Sequence, residues 1–550
     1  MSLLYYALKT LTPKVKAFER FTADPVTNQE KLLLEILQRN RETDYGLKYD
    51  FSSIKTASEF RARVPLADYE TFRPYVEKMT LGEQNILTHD KPVFFSITSG
   101  TSSSPKLIPM TKYSESKKSE VVSLWSYYIG KDHPEIFKGK VLAIVSPEVV
   151  GYTKSGIAYG AESGRAYKNF PIAVKKLYSL PYEVFEINDY DARYYAILRI
   201  SMEQNITSIA TMTPSTIILL CQKIDPLRSD IINDIKAGTL KKDLDIPPRI
   251  REALEKSLHP NPKRAAELEN ILKEKNTLLP KDFWPNLELI ECWKRGTIKV
   301  YLNALPEYFG DIPVRDLGYS SSEMRSSIPM SDKSAGGVLA INSNFYEFIP
   351  REDIDLKEKR VLLCDQLEIG KEYFIVITTP GGLYRYNIDD IIRVVDFFNK
   401  TPVIEFVQKG GNVTSATGEK LYESHVVDAV EKAADECDLA IEFFVAILET
   451  EPSVRYAFLV EFVNNPGREK KKRFLAFTEK VLCLTNEEYE FNRTAQELGP
   501  PVLKVLRHGS FAAFREKKIK EGTHDAHFKV SQLIADPDFQ KNFDVIEEIQ

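Results

Sequence analysis

Five short β-prone runs stand far apart in this chain: VLAIV (141–145), SIATM (208–212), LELIECW (287–293), YFIVITT (373–379) and YAFLVEFV (456–463). Helical stretches lie between them. Strand–helix alternation of this kind argues for α/β layers. One intervening helix is expected to start at Thr213-Pro214, with Thr as the cap and Pro in the first turn. The segment 226–286 is rich in Lys, Glu, Leu and Pro and reads as surface helices with charged outer faces. No segment repeats with a period of about 20–50 residues, which excludes a solenoid.

At 550 residues the chain is too long for one core. A Gly pair among small polar residues in VQKGGNVTSATGEK (407–420) marks a hinge. The expected division is an N-terminal domain of residues 1–408 and a smaller C-terminal domain of residues 409–550. Glu419 and Lys420, just past the glycines, read as surface residues. Net charge is −5, so no basic surface invites nucleic acid or acidic lipid. The longest apolar runs are a handful of residues, such as FFVAIL (443–448), against the roughly 20 that a membrane helix needs. No membrane span is therefore expected. The N-terminal MSLLYYALKTLTPKVKAFERF lacks the pattern of a cleaved leader and reads as an amphipathic helix. The five cysteines, Cys221, Cys292, Cys364, Cys437 and Cys483, are odd in number and never spaced CxxC. Reduced thiols in a cytoplasmic protein are the expectation.

Three polar segments carry the chemistry. The stretch TSGTSSSPK (Thr98–Lys106) follows a β-prone run and gathers hydroxyls, one glycine and one lysine. Many donors and one positive charge suit phosphate oxygens. The patterns GxxxxGK[ST] and GxGxxG are both absent. A flexible polar turn or a phosphorylation target stays open for this segment alone. YSSSEM (Tyr319–Met324) follows the strand-like VRDLG and offers an aromatic, three hydroxyls and a carboxylate. Strand ends of this kind are where α/β sheets bind ligands, although a Ser-containing turn with an N-capping role would look the same. GLYRYNIDDIIRV (Gly382–Val394) places Asp389 and Asp390 side by side between apolar strands. Adjacent carboxylates repel, and alone this segment reads as a solvated turn.

In this order and spacing, the three segments resemble the signature of the plant acyl-acid-amido synthetases (the auxin-responsive promoter family) and their bacterial relatives, a branch of the acyl-adenylate-forming enzymes. That signature runs S-S-G-T-S-x-G-x-x-K, then Y-x-S-S-E, then Y-R-x-G-D-x-x-R-V. The segments NSNFYEFIP (342–350), LEIGKEYFIVITTPGGLYRY (367–386) and HGSFAAFREKKIKEGTHDAHFKVSQL (508–533) are also similar. The resemblance covers most of residues 90–533. It implies an α/β fold: a large N-terminal domain of β-sheets and flanking helices, with a smaller mobile α+β C-terminal domain.

The resemblance also implies roles. Ser99, Gly100, Thr101 and Ser102 would cradle the β- and γ-phosphates of ATP, with Lys106 at the loop's exit. Tyr319 would lie against the adenine and Ser322 would contact the α-phosphate. Glu323 would hold Mg²⁺, and Asp390 would accept from the ribose hydroxyls. Arg393 would support the ribose or the hinge, and Lys529 would neutralise the α-phosphate. Three departures stand out. The loop's second glycine is missing from SSSPK. The glycine before the ribose aspartate is Asp389, which leaves the choice between Asp389 and Asp390 open. The closing Tyr-Lys-x-Pro-Arg is Phe528-Lys529 followed by Val530, Ser531 and Gln532.

The implied reaction is adenylation of a small carboxylic acid by ATP, then transfer of the acyl group to an amine such as an amino acid. An acyl–CoA ligase sharing the first step, and a nucleotide-binding protein without turnover, are the competing readings. The acyl pocket is expected along VSPEVVGYTKSGIAYG (145–160) and the helix starting at TPSTIILL (213–220). The sequence gives no oligomeric state.

Overall fold

A computed structural model describes the chain except for residues 1–7, 99–105, 295–301, 355, 415–418, 420, 451–452, 495–497, 522–527 and 529. Ser99, Gly100, Thr101, Ser102 and Lys529 therefore lie outside the described residues. The described residues form two compact units. The first comprises residues up to Lys294 together with Leu305–Phe406; the second runs from Val407 to Gln550 and takes in residues 302–304.

In chain order the strands of the first unit are β1 (Phe94–Thr98), β2 (Lys106–Met110), β3 (Lys140–Ile144), β4 (Gly151–Tyr152), β5 (Ala158–Gly160), β6 (Ile206–Thr211), β7 (Leu289–Glu291), β8 (Val314–Arg315), β9 (Ser327–Ile328), β10 (Gly337–Leu339), β11 (Phe345–Pro350), β12 (Glu372–Thr378), β13 (Tyr386–Phe398) and β14 (Thr401–Lys409), the last reaching across the boundary. The helices that matter here are α1 (Thr12–Phe21), α2 (Pro25–Arg39), α3 (Ala57–Arg63), α4 (Tyr69–Thr80), α5 (Lys112–Asp132), α6 (Glu162–Lys168), α7 (Pro214–Gln222), α8 (Ile224–Ala237), α9 (Pro248–Glu255) and α10 (Pro262–Lys275).

The β-prone runs at 141, 208 and 287 become neighbours in one parallel sheet, ordered β3-β6-β7-β8. Parallel pairing needs a long crossover, which explains their wide spacing in sequence. A second sheet, β2-β1-β5-β4, is built on the β1–β2 hairpin. The third, β11-β12-β13-β14-β10-β9, pairs β11 with β12, β12 with β13, β10 with β14 and β10 with β9 antiparallel, and buries nearly every residue of β11 and β12. The N-terminal helix α1 packs Val15 and Phe18 into the main core. The charged segment after residue 224 forms α8, α9 and α10, each with an exposed polar face.

The second unit is a mixed sheet of β17 (Ile441–Glu449), β18 (Arg455–Phe462), β19 (Val502–Leu506), β20 (Leu533–Ile534) and β21 (Val545–Ile549), ordered β20-β17-β18-β19-β21, with a short ribbon of β15 (Val413–Thr414) and β16 (Leu421–Tyr422). One face packs on α11 (Glu423–Cys437) and α12 (Arg468–Thr485), the other on α13 (Ser510–Lys520).

Three local expectations are corrected. Asp389 and Asp390 do not sit between two strands: β13 is continuous through them, with a bulge. Thr213 stands at the N-cap of α7, but its hydroxyl pairs with the Thr216 hydroxyl at 3.1 Å rather than with a backbone N–H. Glu419 is fully buried, not at the surface, and accepts from the Tyr456 hydroxyl at 2.6 Å.

Candidate nucleotide site

The hydroxyl-rich segment joins two paired strands. Thr98 lies opposite Lys106 in the β1–β2 register, so the loop leaves and returns at one point. The β1 residues Phe94, Phe95 and Ser96 are buried, which fixes the hairpin's base. Lys106 places its ammonium 5.5 Å from the centre of the Tyr69 ring, a cation–π arrangement. Tyr69 opens α4, whose N-cap Asp68 accepts from the Thr71 N–H at 3.0 Å. The Tyr69 hydroxyl both donates to the Leu107 carbonyl and accepts from the Leu107 N–H, each at 2.8 Å, so it is pinned to β2.

The second segment leaves the end of β8. Asp316 accepts from the N–H groups of Gly318 and Lys294, each at 2.7 Å. Burial pushes its carboxyl up to about 6, against the opposing pull of those two bonds. Gly318 has φ +82°, and a Cβ there would lie 2.4 Å from the Ser327 carbonyl oxygen, so the turn admits only glycine. Tyr319 is buried, stacks on Phe406 with ring centres 5.6 Å apart, and donates its hydroxyl to Asp390 Oδ2 at 2.6 Å. Burial first, and Asp390 second, hold that hydroxyl well above the ordinary tyrosine range. Ser322 donates its hydroxyl to the Ile97 carbonyl of β1 at 3.3 Å. Glu323 is 8 % exposed. Burial pushes the Tyr69 hydroxyl up to about 12, and the charge of Glu323 adds to the shift; the same pair of causes raises Tyr386.

The third segment is the bulge in β13. Phe374 pairs with Ile391 and Val376 with Asn387, so three residues of β13 oppose one of β12. Asp389 takes up this slack at φ +62°, faces solvent, and donates its N–H to Asn387 Oδ1 at 3.0 Å. Asp390 then turns inward and is 3 % exposed. The bulge settles which acid meets Tyr319.

The structure thus joins Tyr319 to Asp390, ties Ser322 to β1, buries Glu323 within electrostatic reach of Tyr69, Tyr319 and Tyr386, and seats Lys106 over Tyr69. Arg393 is engaged elsewhere: its guanidinium donates to Glu372 Oε1 at 2.6 Å, and Glu372 is also held by Arg351. The expected acyl segment 145–160 contributes β4 and β5, and β5 pairs directly with β1 (Phe95 with Tyr159, Ser96 with Gly160). Tyr69 and Phe406 were not legible as site residues. An N-cap Asp followed by a helix was the signal at Tyr69, and it says nothing about a ligand. Among the described residues no group of three or more His, Cys, Asp or Glu is placed to hold a metal by itself.

Residues 14–314 match the GH3 family N-terminal domain, 337–409 its central domain and 424–538 its C-terminal domain. The chain belongs to the GH3 family. Its GH3 relatives include the indole-3-acetic acid-amido synthetase GH3.3 of Arabidopsis thaliana, 25 % identical across 95 % of this chain and 92 % of that protein. The jasmonoyl–L-amino acid synthetase JAR4 of Nicotiana attenuata is 24 % identical across 94 % and 93 %. The fold is that of the GH3.15 acyl acid amido synthetase solved in complex with 2,4-DB, with a TM-score of 0.87 at 22 % identity, covering 98 % of this chain and 97 % of that one.

Proposed function

We propose that this protein activates a small carboxylic acid as its acyl-adenylate, using ATP, and transfers the acyl group to the amine of an amino acid, releasing pyrophosphate and AMP. The observation that carries the reading is the joining of Tyr319 to Asp390 from two motifs 71 positions apart, beside a buried Glu323. GH3 relatives named for amide synthesis from indole-3-acetic acid and jasmonate support the choice of an amine over CoA.

A carboxylate is a poor electrophile because its oxygen leaves badly. Its attack on the α-phosphorus of ATP makes that oxygen part of a good leaving group. The transition state spreads charge over phosphate oxygens, so the protein's task is to position and to supply donors and cations. Asp390 takes the ribose hydroxyls: a carboxylate accepts about four hydrogen bonds, and the Tyr319 hydroxyl orients this one through Oδ2. The Tyr319–Phe406 stack forms the platform for the adenine. Ser322 contacts the α-phosphate, and the loop ending at Lys106 takes the β- and γ-phosphates. Glu323 fits Mg²⁺, since that ion is commonly held by one carboxylate with phosphate oxygens and water completing the shell. Once bound, Mg²⁺ neutralises phosphate charge. Lys529 supplies a further positive charge from the C-terminal domain (409–550), which turns on the segment 407–420 between the two half-reactions and shields the adenylate from water. The five free thiols accord with a cytoplasmic enzyme.

Pyrophosphate–ATP exchange against a panel of carboxylic acids tests the first half-reaction. AMP release with amino acids, compared with CoA, tests the second. Exchange that survives both Glu323→Ala and Lys529→Ala would overturn the site assignment.

A further inference from the structure

Lys118 sits in the charged run KYSESKKSEVV at the start of α5, where a lysine reads as a solvated side chain. It is 9 % exposed. Its ammonium donates to Glu162 Oε2 at 2.7 Å, at the start of α6, and to the Ser322 carbonyl at 2.9 Å. Burying an ammonium is costly unless its protons are taken up. Two of its three donors are taken, one by a carboxylate and one by a main-chain oxygen in the second motif.

The position of that oxygen matters. The Ser322 carbonyl belongs to the peptide that links Ser322 to Glu323. The N–H of the same peptide donates to Ser321 Oγ at 3.3 Å. Ser322 also hydrogen-bonds by its side chain to Ile97, next to the hydroxyl loop. One peptide is therefore held at its carbonyl by Lys118 and at its N–H by Ser321. The residues on its two sides are the ones assigned to the α-phosphate and to Mg²⁺. Rotation of this peptide would move both side chains at once.

We infer that Lys118, anchored by Glu162, is a positioning residue for adenylation: it fixes the Ser322–Glu323 peptide so that hydroxyl and carboxylate address the reacting phosphate together. This rests on the function proposed above. Both bonds of Lys118 go to protein groups, so its loss should act on turnover rather than on nucleotide affinity, which Asp390, Tyr319 and the loop supply.

The test is exchange kinetics on the full-length protein. Lys118→Met keeps the apolar stem and removes both bonds. Its kcat is expected to fall by about 10²-fold, the scale of a mispositioned catalytic contact, while KM for ATP changes less than about threefold. Lys118→Arg can reach both acceptors and should recover to within about tenfold of wild type; Glu162→Gln, which keeps a neutral acceptor, should fall between. Should Lys118→Met not fold, the Arg and Gln variants carry the comparison. A purely structural lysine would lower Tm and leave kcat per folded molecule unchanged in all three, and that result overturns the inference. Wild-type protein that exchanges with no acid overturns the proposed function itself, and this inference with it. Wild type that exchanges alongside an equally active Lys118→Met overturns the inference alone.

Discussion

The Tyr319 hydroxyl lies 2.6 Å from Asp390 Oδ2, joining the turn after β8 to the bulge in β13. Burial and the neighbouring carboxylate keep that hydroxyl protonated, so it acts as a donor at every working pH. Tyr319→Phe removes the donor and leaves the buried carboxylate short of a partner. A hydrogen bond to a charged group is worth about 1.5–3 kcal/mol, and that loss is expected in the denaturant midpoint. Because the tyrosine's folded pKa is raised, its contribution is complete below the ordinary tyrosine range and declines as pH rises through the elevated value. The wild-type advantage over Tyr319→Phe should therefore be constant from neutral pH to about 10 and shrink above it.

Asp389 and Asp390 should separate cleanly on substitution. Asp389 is exposed at φ +62°, a conformation that costs a non-glycine residue about 1 kcal/mol, less for Asp. Asp389→Gly relieves it, at the expense of a more flexible unfolded chain. Stability should change by less than about 0.5 kcal/mol in either direction, with ATP affinity retained. Asp390→Asn keeps the size of the side chain but removes the charge that Tyr319 meets and that the proposed ribose contact needs. Titration calorimetry with nucleotide should show binding weakened at least about tenfold for Asp390→Asn and unaltered for Asp389→Gly.

Much of this was legible in the sequence, and the limits are instructive. The β-prone runs behind β3, β6 and β7 were visible as such, but nothing in them showed that polar members such as Ser208 and Glu291 are buried along with their apolar neighbours. Resemblance to the family signature singled out Tyr319, Ser322, Glu323 and Asp390 together; polarity alone would not have joined them, since Ser322 and Glu323 follow two serines and Asp390 follows another acid. The choice between Asp389 and Asp390 was not legible. It depends on a bulge, which exists only once β12 has set the register of β13. The length of NSNFYEFIP gave no hint that β11 is core, with Tyr346 N–H donating to Gln29 of α2 at 2.8 Å. Lys118 hid in a charged run for the same reason: its partners are 44 and 204 positions away.

The first arginine of the third motif, Arg385, should prove structural. Arg385 donates to both oxygens of Glu347 at 2.9 Å, and to the Arg61 and Val64 carbonyls at 2.8 and 2.7 Å, which ends α3 against β13. Both partners are buried. Removing one charge of such a pair costs about 3–5 kcal/mol, because the other is stranded. Arg385→Met should lose that much in urea unfolding. The Arg385→Met/Glu347→Leu double variant should recover part of it, since the buried carboxylate is gone and Arg61, its other partner at 3.4 Å, is partly exposed. Equal losses in the single and double variants would mean that the carbonyl contacts, and not the ion pair, hold this corner.

Glu291 should give the parallel sheet a measurable pH dependence. It is buried on β7, accepts from the Ser208 hydroxyl of β6, and lies beside Arg315 of β8. Burial outweighs both favourable neighbours and pushes its carboxyl up to about 7. The folded protein therefore holds this proton more tightly than the unfolded chain, whose glutamate releases it near the ordinary value. Stability from this group is complete below about pH 4.5 and is lost as pH rises through about 7, a span of about 3 kcal/mol. Glu291→Gln keeps the acceptor for Ser208 and cannot ionise, so it lacks this slope. Melting curves from pH 5 to pH 8 should show wild type losing ground to Glu291→Gln across that window, with the gap constant above it. Parallel curves for the two proteins would mean that Ser208 and Arg315 together offset the effect of burial on Glu291.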